Sequence, residues 1–294
     1  MTAPAVPSWL QQILLTNPAY NHRLRVLETI AIRIDGTDKL AKCTQYTSRL
    51  LAWYLRRFEW FAGKVAPGAG ALKSLDIITG ELSAIRKVMR LGKWLYSVPP
   101  VRKDLKALSK AQHNNDTSFW SAAAIDHALS CFTDFTDDLQ WLSKMHILDP
   151  KLGPRAARWG HHTFFITCFF DLYFTFHELA EVQRELDAAV FDLCCREDDS
   201  IDTADSPARL AKIALVEKLT RKHQVVVAIV FKYLGDLGVA TIEVFQLGDS
   251  ISKGWYPFFA LVSGLCSTYK LWVNTSDDVR AKGKYAAYAF TETP

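Results

Sequence analysis

A stripe of apolar residues runs through positions 71–96. Its members recur at alternating steps of three and four residues: Leu75, Ile78, Leu82, Ile85 and Met89. At about 3.6 residues per turn, that spacing places them on one face of a helix. Basic side chains fall on or beside the opposite face or at the basic end: Arg86, Lys87, Arg90 and Lys93. The pattern predicts one amphipathic helix over 71–96, ended by Pro99-Pro100.

This amphipathic pattern fits two different environments. On an anionic membrane surface, the stripe enters the acyl boundary and the cations remain with the lipid headgroups. On a soluble core, the same stripe packs against other helices while the charged face is solvated. The segment alone leaves both interpretations open.

Helical periodicity and turn residues divide the rest of the chain. A helix is expected to start at Asn17-Pro18, a turn at Asp35-Gly36, and a second helix capped by Thr37. Further predicted helices cover about 118–145 and 155–195, and an acidic stretch at 185–210 reads as a loop between regions 1–184 and 211–294. No strand-like alternation occurs in the sequence, so the predicted fold class is all-α.

The C-terminal region contains two apolar segments. Residues 255–273 nearly match the length that crosses a bilayer core of about 30 Å, and aromatic residues stand at both ends. Residues 225–247 are also apolar but carry Lys232 and Asp236, four positions apart, which could neutralise each other on one helix face. We therefore predict a helical membrane protein with N-terminal amphipathic helices and a C-terminal apolar hairpin. Basic residues after position 273 favour cytosolic termini.

The composition argues against some classes of function but does not identify one. The chain has 294 residues, 49% of them hydrophobic, and a net charge of +4 spread along its length, which argues against nucleic acid. No secretory signal is recognisable at the N-terminus. No motif for a catalytic site, cofactor or metal is found, and the cluster of Asp134, Asp137 and Asp138 is interpreted as a solvated helix face rather than a cation site. We expect no enzyme activity, no cofactor and no metal.

Four ordered motifs resemble the peroxin-11 family of peroxisomal membrane proteins. The first comprises Asp38, Lys39 and Leu40, then Gln45, Tyr46, Thr47, Ser48 and Arg49. The second is Arg86-Lys87-Val88-Met89-Arg90-Leu91-Gly92-Lys93, the third Gly235-Asp236-Leu237, and the fourth covers 264–272. Thr47, where the family usually has glycine, and the acidic insert depart from the pattern.

The resemblance implies a function that the composition does not show. Members of that family elongate the peroxisomal membrane, promote peroxisome proliferation and fission, and self-associate, and some are described as pores or transport accessories for small metabolites. Expected partners are therefore anionic phospholipid, further copies of the chain, a dynamin-related GTPase with its adaptor, and the import receptor for peroxisomal membrane proteins. The family's membrane-bending helix corresponds to 71–96 here.

Overall fold

The computed structural model describes residues 18–62, 69–113, 122–195 and 207–291, and they form helices joined by short turns. Eight α-helices lie within these ranges: α1 Pro18–Ile32, α2 Ile34–Ala62, α3 Ala69–Met89, α4 Trp94–His113, α5 Ala122–Lys144, α6 Leu152–Cys195, α7 Pro207–Val244 and α8 Trp255–Thr291. A single 3₁₀ turn, Leu247–Asp249, follows α7. The all-α prediction is confirmed, because no strand occurs in the described ranges.

Six of these helices surround a common interior. Helices α5, α6, α7 and α8 pack in sequence order, α8 also packs on α2, and α2 packs on α3. Side chains of α3 then reach α5, where Lys87 bonds Gln140 and Lys93 pairs with Asp134. The ring α2–α8–α7–α6–α5–α3 is thereby closed, with α1 and α4 packed outside it on α8 and α5.

The predicted helix over 71–96 is two helices. It ends at Met89, and the chain turns at Gly92, whose φ of 75° lies in the left-handed region. Glycine adopts that region without steric cost. Pro99 and Pro100 lie inside α4, near its beginning, so the prediction that they end the helix is wrong.

Other boundaries also differ from the expected ones. Helix α2 begins at Ile34, before the predicted turn and the predicted cap at Thr37. Helix α6 continues to Cys195, so the acidic residues at 185–195 are helical, and the remainder of the expected acidic loop, 196–206, lies outside the described residues. A helix is present from Pro18 onwards, as predicted, while Asn17, the other residue of the predicted start, lies outside the described residues.

A close approach of backbones joins α7 to α8. A side-chain carbon added at Gly235 would lie 2.8 Å from the carbonyl oxygen of Phe259 and 3.1 Å from the amide nitrogen of Ser263. Small residues at such crossings let helices pack without intervening side chains. This explains physically why glycine occupies the first position of the Gly235-Asp236-Leu237 motif.

One described helix is long and apolar enough to cross a membrane by length and composition, and it covers Arg209–Val244 within α7. The segment 255–273, which its length and aromatic ends favour as a membrane span, forms the first half of α8 and does not meet the same criterion. The C-terminal hairpin therefore remains a prediction, with α7 as its better supported arm.

Replacing Gly92 tests the turn that separates α3 from α4. Gly92→Ala should lower the free energy of unfolding by about 1–2 kcal/mol, since a side chain disfavours a left-handed backbone. Gly80→Ala is the matched control because Gly80 is exposed in α3 and has open space around it. It should instead stabilise by about 0.5–1 kcal/mol. Chemical denaturation in detergent measures both, and equal effects would contradict the assigned turn.

Candidate functional site: a charged cavity inside the helix ring

The helices of the ring line an open polar cavity of about 570 Å³, in whose wall Arg49 and Lys93 are exposed. All six helices contribute to its wall, and its charged lining comprises seven cations and five carboxylates. The cations are Lys42, Arg49, Arg86, Lys87, Arg90, Lys93 and Lys232, and the carboxylates are Asp134, Asp137, Asp171, Asp236 and Glu243. The predicted basic residues of the second motif thus line an internal cavity together with parts of the first and third motifs.

Asp236 lies between two ammonium groups. Lys42 Nζ is 3.5 Å from one carboxylate oxygen, and Lys232 Nζ is 3.3 Å from the other. Ser263 on α8 donates a hydrogen bond to Asp236 and accepts one from Lys42 at 2.8 Å. Burial lowers the pKa of Lys42, and the negative charge of Asp236 opposes that shift. This cluster joins α2, α7 and α8 through charge.

Arg86 connects α3 to the first motif on α2. Its Nε donates to Asp38 at 2.9 Å, and its Nη1 donates to Gln45 at 2.8 Å. The guanidinium also lies 5.9 Å from the centre of the Tyr46 ring, within the range of a cation–π contact. Three first-motif residues therefore recognise one arginine of the second motif.

Arg90 and Lys93 connect the end of α3 to α5. Arg90 Nη2 lies 3.7 Å from both Asp134 and Asp137, and Lys93 Nζ lies 3.1 Å from Asp134. The Gly92 amide donates to Asp138 at 2.8 Å. These three carboxylates are occupied by internal cations and an amide, and within the described residues no group of His, Cys, Asp and Glu side chains could hold a metal ion.

The remaining first-motif residues lie on different sides of α2. Lys39 pairs with Asp35 one turn earlier, Leu40 is half-buried and Ser48 is buried. Arg49 lies over the ring of Tyr256, 5.1 Å from its centre. Tyr256 in turn donates to Glu243 at 2.9 Å, and His161 approaches the other oxygen of Glu243 at 3.7 Å.

The predicted apolar stripe of α3 is partly buried against the other helices and partly exposed. Leu75, Leu82 and Met89 are half-buried against the ring, whereas Ile78 and Ile85 are 42% and 49% exposed. Further apolar side chains complete the outward face of α3: Ile77, Val88 and Leu91. Arg86 and Lys87, near the end of the helix, face inward, whereas the outward side combines these apolar residues with the exposed charges of Lys73, Asp76 and Glu81.

The outer surface of α6 is also apolar. Its exposed members recur at helical spacing and are Ile166, Phe169, Tyr173 and Phe176. Single exposed apolar residues are ordinary on soluble proteins, but contiguous exposed apolar patches mark contact with a protein, a ligand or a membrane. Here a stripe of large apolar residues faces outward while charged groups line the interior, which is the distribution expected when the surroundings are lipid.

Some site residues could not be recognised from the sequence. Lys42 and Ser263 are absent from the predicted site, although both contact Asp236. Their positions are 194 and 27 residues from Asp236 along the chain. Lys42 lies in a partly apolar stretch, and no local pattern predicts that its ammonium contacts a carboxylate 194 residues away.

These features define a class: an all-helical protein with apolar stripes on its outer surface, a candidate membrane span and a charged cavity between its helices. The sequence profile of the family described as peroxisomal biogenesis factor 11 (PEX11) matches residues 25–272, and the chain belongs to that family. Membership supports a peroxisomal membrane protein of the peroxisome proliferation class.

Two curated relatives agree with this assignment. "Peroxisomal membrane protein 11-4" of Oryza sativa subsp. indica is 31% identical over 124 residues, which cover 42% of this chain and 46% of the relative. The protein of the same name from Oryza sativa subsp. japonica gives the same values. The match thus spans just under half of the relatives' length. No solved structure matches the chain.

Proposed function

We propose that the protein elongates and remodels the peroxisomal membrane, and thereby promotes peroxisome proliferation and fission. The observation that carries this proposal is the outward apolar face of α3, with Ile77, Ile78, Ile85 and Val88 all exposed. A helix that enters one leaflet to a shallow depth expands that leaflet relative to the other and favours curvature. Many copies are required because each perturbs a small area, which is consistent with self-association.

The ion pairs between α3 and its neighbouring helices change the way in which α3 is expected to insert into the membrane. Arg86 and Arg90 already have carboxylate partners on α2 and α5, so they hold α3 on the ring. The exposed cation of this helix is Lys73, near its beginning. Helix α3 therefore inserts its outer face into the membrane while it remains part of the folded helix ring, and not as an isolated cationic peptide. Reconstitution of the full-length protein into anionic liposomes, with tubules counted by electron microscopy, tests the proposal.

The topology follows from the number of spans. A single crossing by α7 would place the termini on opposite sides, whereas a second crossing at 255–273 would return the chain to the first side. We propose two crossings and cytosolic termini, where the fission GTPase, its adaptor and the import receptor would reach the chain. Protease digestion of intact organelles carrying tags at both termini should remove both tags. Protection of either tag would contradict the hairpin.

The charged cavity favours a second candidate function, passage of small metabolites. Lys232, Asp236 and Glu243 lie on the cavity side of α7 and would provide a polar path through the apolar exterior. Purified protein in planar bilayers should then conduct ions, and Asp236→Asn should change the conductance. An electrically silent bilayer with verified incorporation would contradict this function and leave the remodelling proposal intact.

A further inference from the structure

Two cations in the cavity wall are not neutralised by a carboxylate. Lys87 Nζ donates to the neutral amide oxygen of Gln140 at 3.0 Å, and Arg49 stacks on Tyr256. Neither forms an ion pair with any carboxylate in the described part of the chain. Both side chains contribute to the lining of the same cavity.

The carboxylates of the cavity each have other partners, although Asp137 and Glu243 partly offset the charge of Lys87 without forming an ion pair with it. Asp171 accepts a hydrogen bond from Tyr233 and interacts with Lys232. Asp134 and Asp137 are engaged by Arg90 and Lys93, and Asp236 is shared between two lysines. Glu243 accepts from Tyr256 and approaches His161. The wall near Lys87 and Arg49 therefore has an excess of positive charge.

The partial burial of Lys87 makes this excess of positive charge energetically unfavourable. Lys87 is half-buried, and this burial lowers the pKa of its ammonium against the opposing charges of Asp137 and Glu243. A partly desolvated cation is stabilised by an anion that accepts its hydrogen bonds. The hydroxyl of Ser83 lies one helical turn from Lys87 and also lines the cavity, and it has no hydrogen-bond partner among the described residues.

We propose that the cavity binds a small phosphate-bearing anion through Lys87, Arg49 and Ser83. Two cations match the charge of about −2 that a phosphate monoester carries at neutral pH, and a guanidinium can donate two parallel hydrogen bonds to a phosphate. A volume of about 570 Å³ is of the size that holds a small organic ligand. The phosphate can belong to a soluble ester or to a phosphorylated lipid headgroup. The inference goes beyond membrane remodelling and does not require a conducting path.

Titration of the full-length protein with inorganic pyrophosphate tests the site. In nanodiscs of neutral phosphatidylcholine, calorimetry should show saturable binding, and Lys87→Gln with Arg49→Gln should weaken it about tenfold or more, as expected for lost charge-assisted bonds. Lys73→Gln with Arg102→Gln is the matched control, because it removes the same charge from exposed positions on α3 and α4. It should leave the affinity unchanged.

A second arm distinguishes the two sources of phosphate. Nanodiscs that contain a phosphatidylinositol phosphate should compete with pyrophosphate if the natural ligand is a headgroup, and should not compete if it is a soluble ester. Acetylation of the wild-type protein gives a readout that needs no variant. Pyrophosphate should protect Lys87 but not Lys73 from the reagent.

Absence of saturable binding in both arms would overturn the proposal. Wild-type affinity in the Lys87→Gln, Arg49→Gln protein, or equal acetylation of Lys87 with and without pyrophosphate, would overturn it as well. None of these results bears on vesicle tubulation, which depends on the outer face of α3, so the two proposals fail separately.

Discussion

Full-length protein carrying Ile78→Asp and Ile85→Asp should fail to tubulate anionic liposomes while keeping its helical fold. Both side chains are exposed on the outer face of α3, so the substitutions disturb no internal packing. Burying an isoleucine contributes about 1.5–3 kcal/mol. Removing two such contributions should shift the equilibrium between inserted and withdrawn α3 roughly a hundredfold or more towards withdrawal.

The control for this result changes the charge equally without removing an apolar side chain. Lys73→Asp also lowers the net charge by two units and lies on the exposed surface of the same helix. It should preserve most of the tubulation at moderate salt, because screened surface charge contributes little. Circular dichroism should match the wild type in both variants. Equal loss of tubulation in the control would show that charge, rather than the apolar wedge, drives curvature.

Asp236→Ala should produce the largest loss of stability in the chain. The carboxylate lies between Lys42 and Lys232 and accepts from Ser263, so its removal leaves two buried ammonium groups facing each other. Breaking a buried ion pair by deleting one partner typically costs about 3–5 kcal/mol. Thermal unfolding in detergent should therefore show a strongly lowered midpoint.

Two comparison variants show whether charge is the cause. Asp249→Ala removes an exposed carboxylate from the 3₁₀ turn and should leave the midpoint nearly unchanged. Lys42→Met in the Asp236→Ala background should recover part of the stability, since it removes one of the two uncompensated cations. If the double variant is less stable than Asp236→Ala, the cluster is held by packing rather than by charge balance.

Local patterns were sufficient for the fold class but not for its arrangement. Helical periodicity and the absence of strand alternation led to an all-α fold, because these signals depend on residues three and four positions apart. The end of α3 was misplaced because Pro99-Pro100 looked like the stronger break. Pro99 and Pro100 lie in the second turn of α4, which lacks two backbone donors there and still continues to His113, and the actual turn depends on the left-handed backbone of Gly92.

The candidate site was predictable in some of its residues, without Lys42 and Ser263, and its geometry was not predictable. Arg86, Lys87, Arg90 and Lys93 were identified as the basic part of an amphipathic helix, but a one-dimensional pattern cannot say which face a neighbouring helix covers. Their orientation is set by Asp38, Asp134 and Asp137, which belong to two other helices. Because charged partners are as distant as 48 residues, for Arg86 and Asp38, no local spacing could reveal that the basic face is internal.

The central claim is that the outer face of α3 contacts lipid while its basic face lines a polar cavity. A spin-labelled unnatural amino acid at position 85, in full-length protein in liposomes, measures this directly through collisions with oxygen and with a water-soluble nickel complex. The label should be accessible to oxygen, which concentrates in the bilayer, and shielded from nickel. Free collision with nickel and weak collision with oxygen would place this face in water and contradict the account.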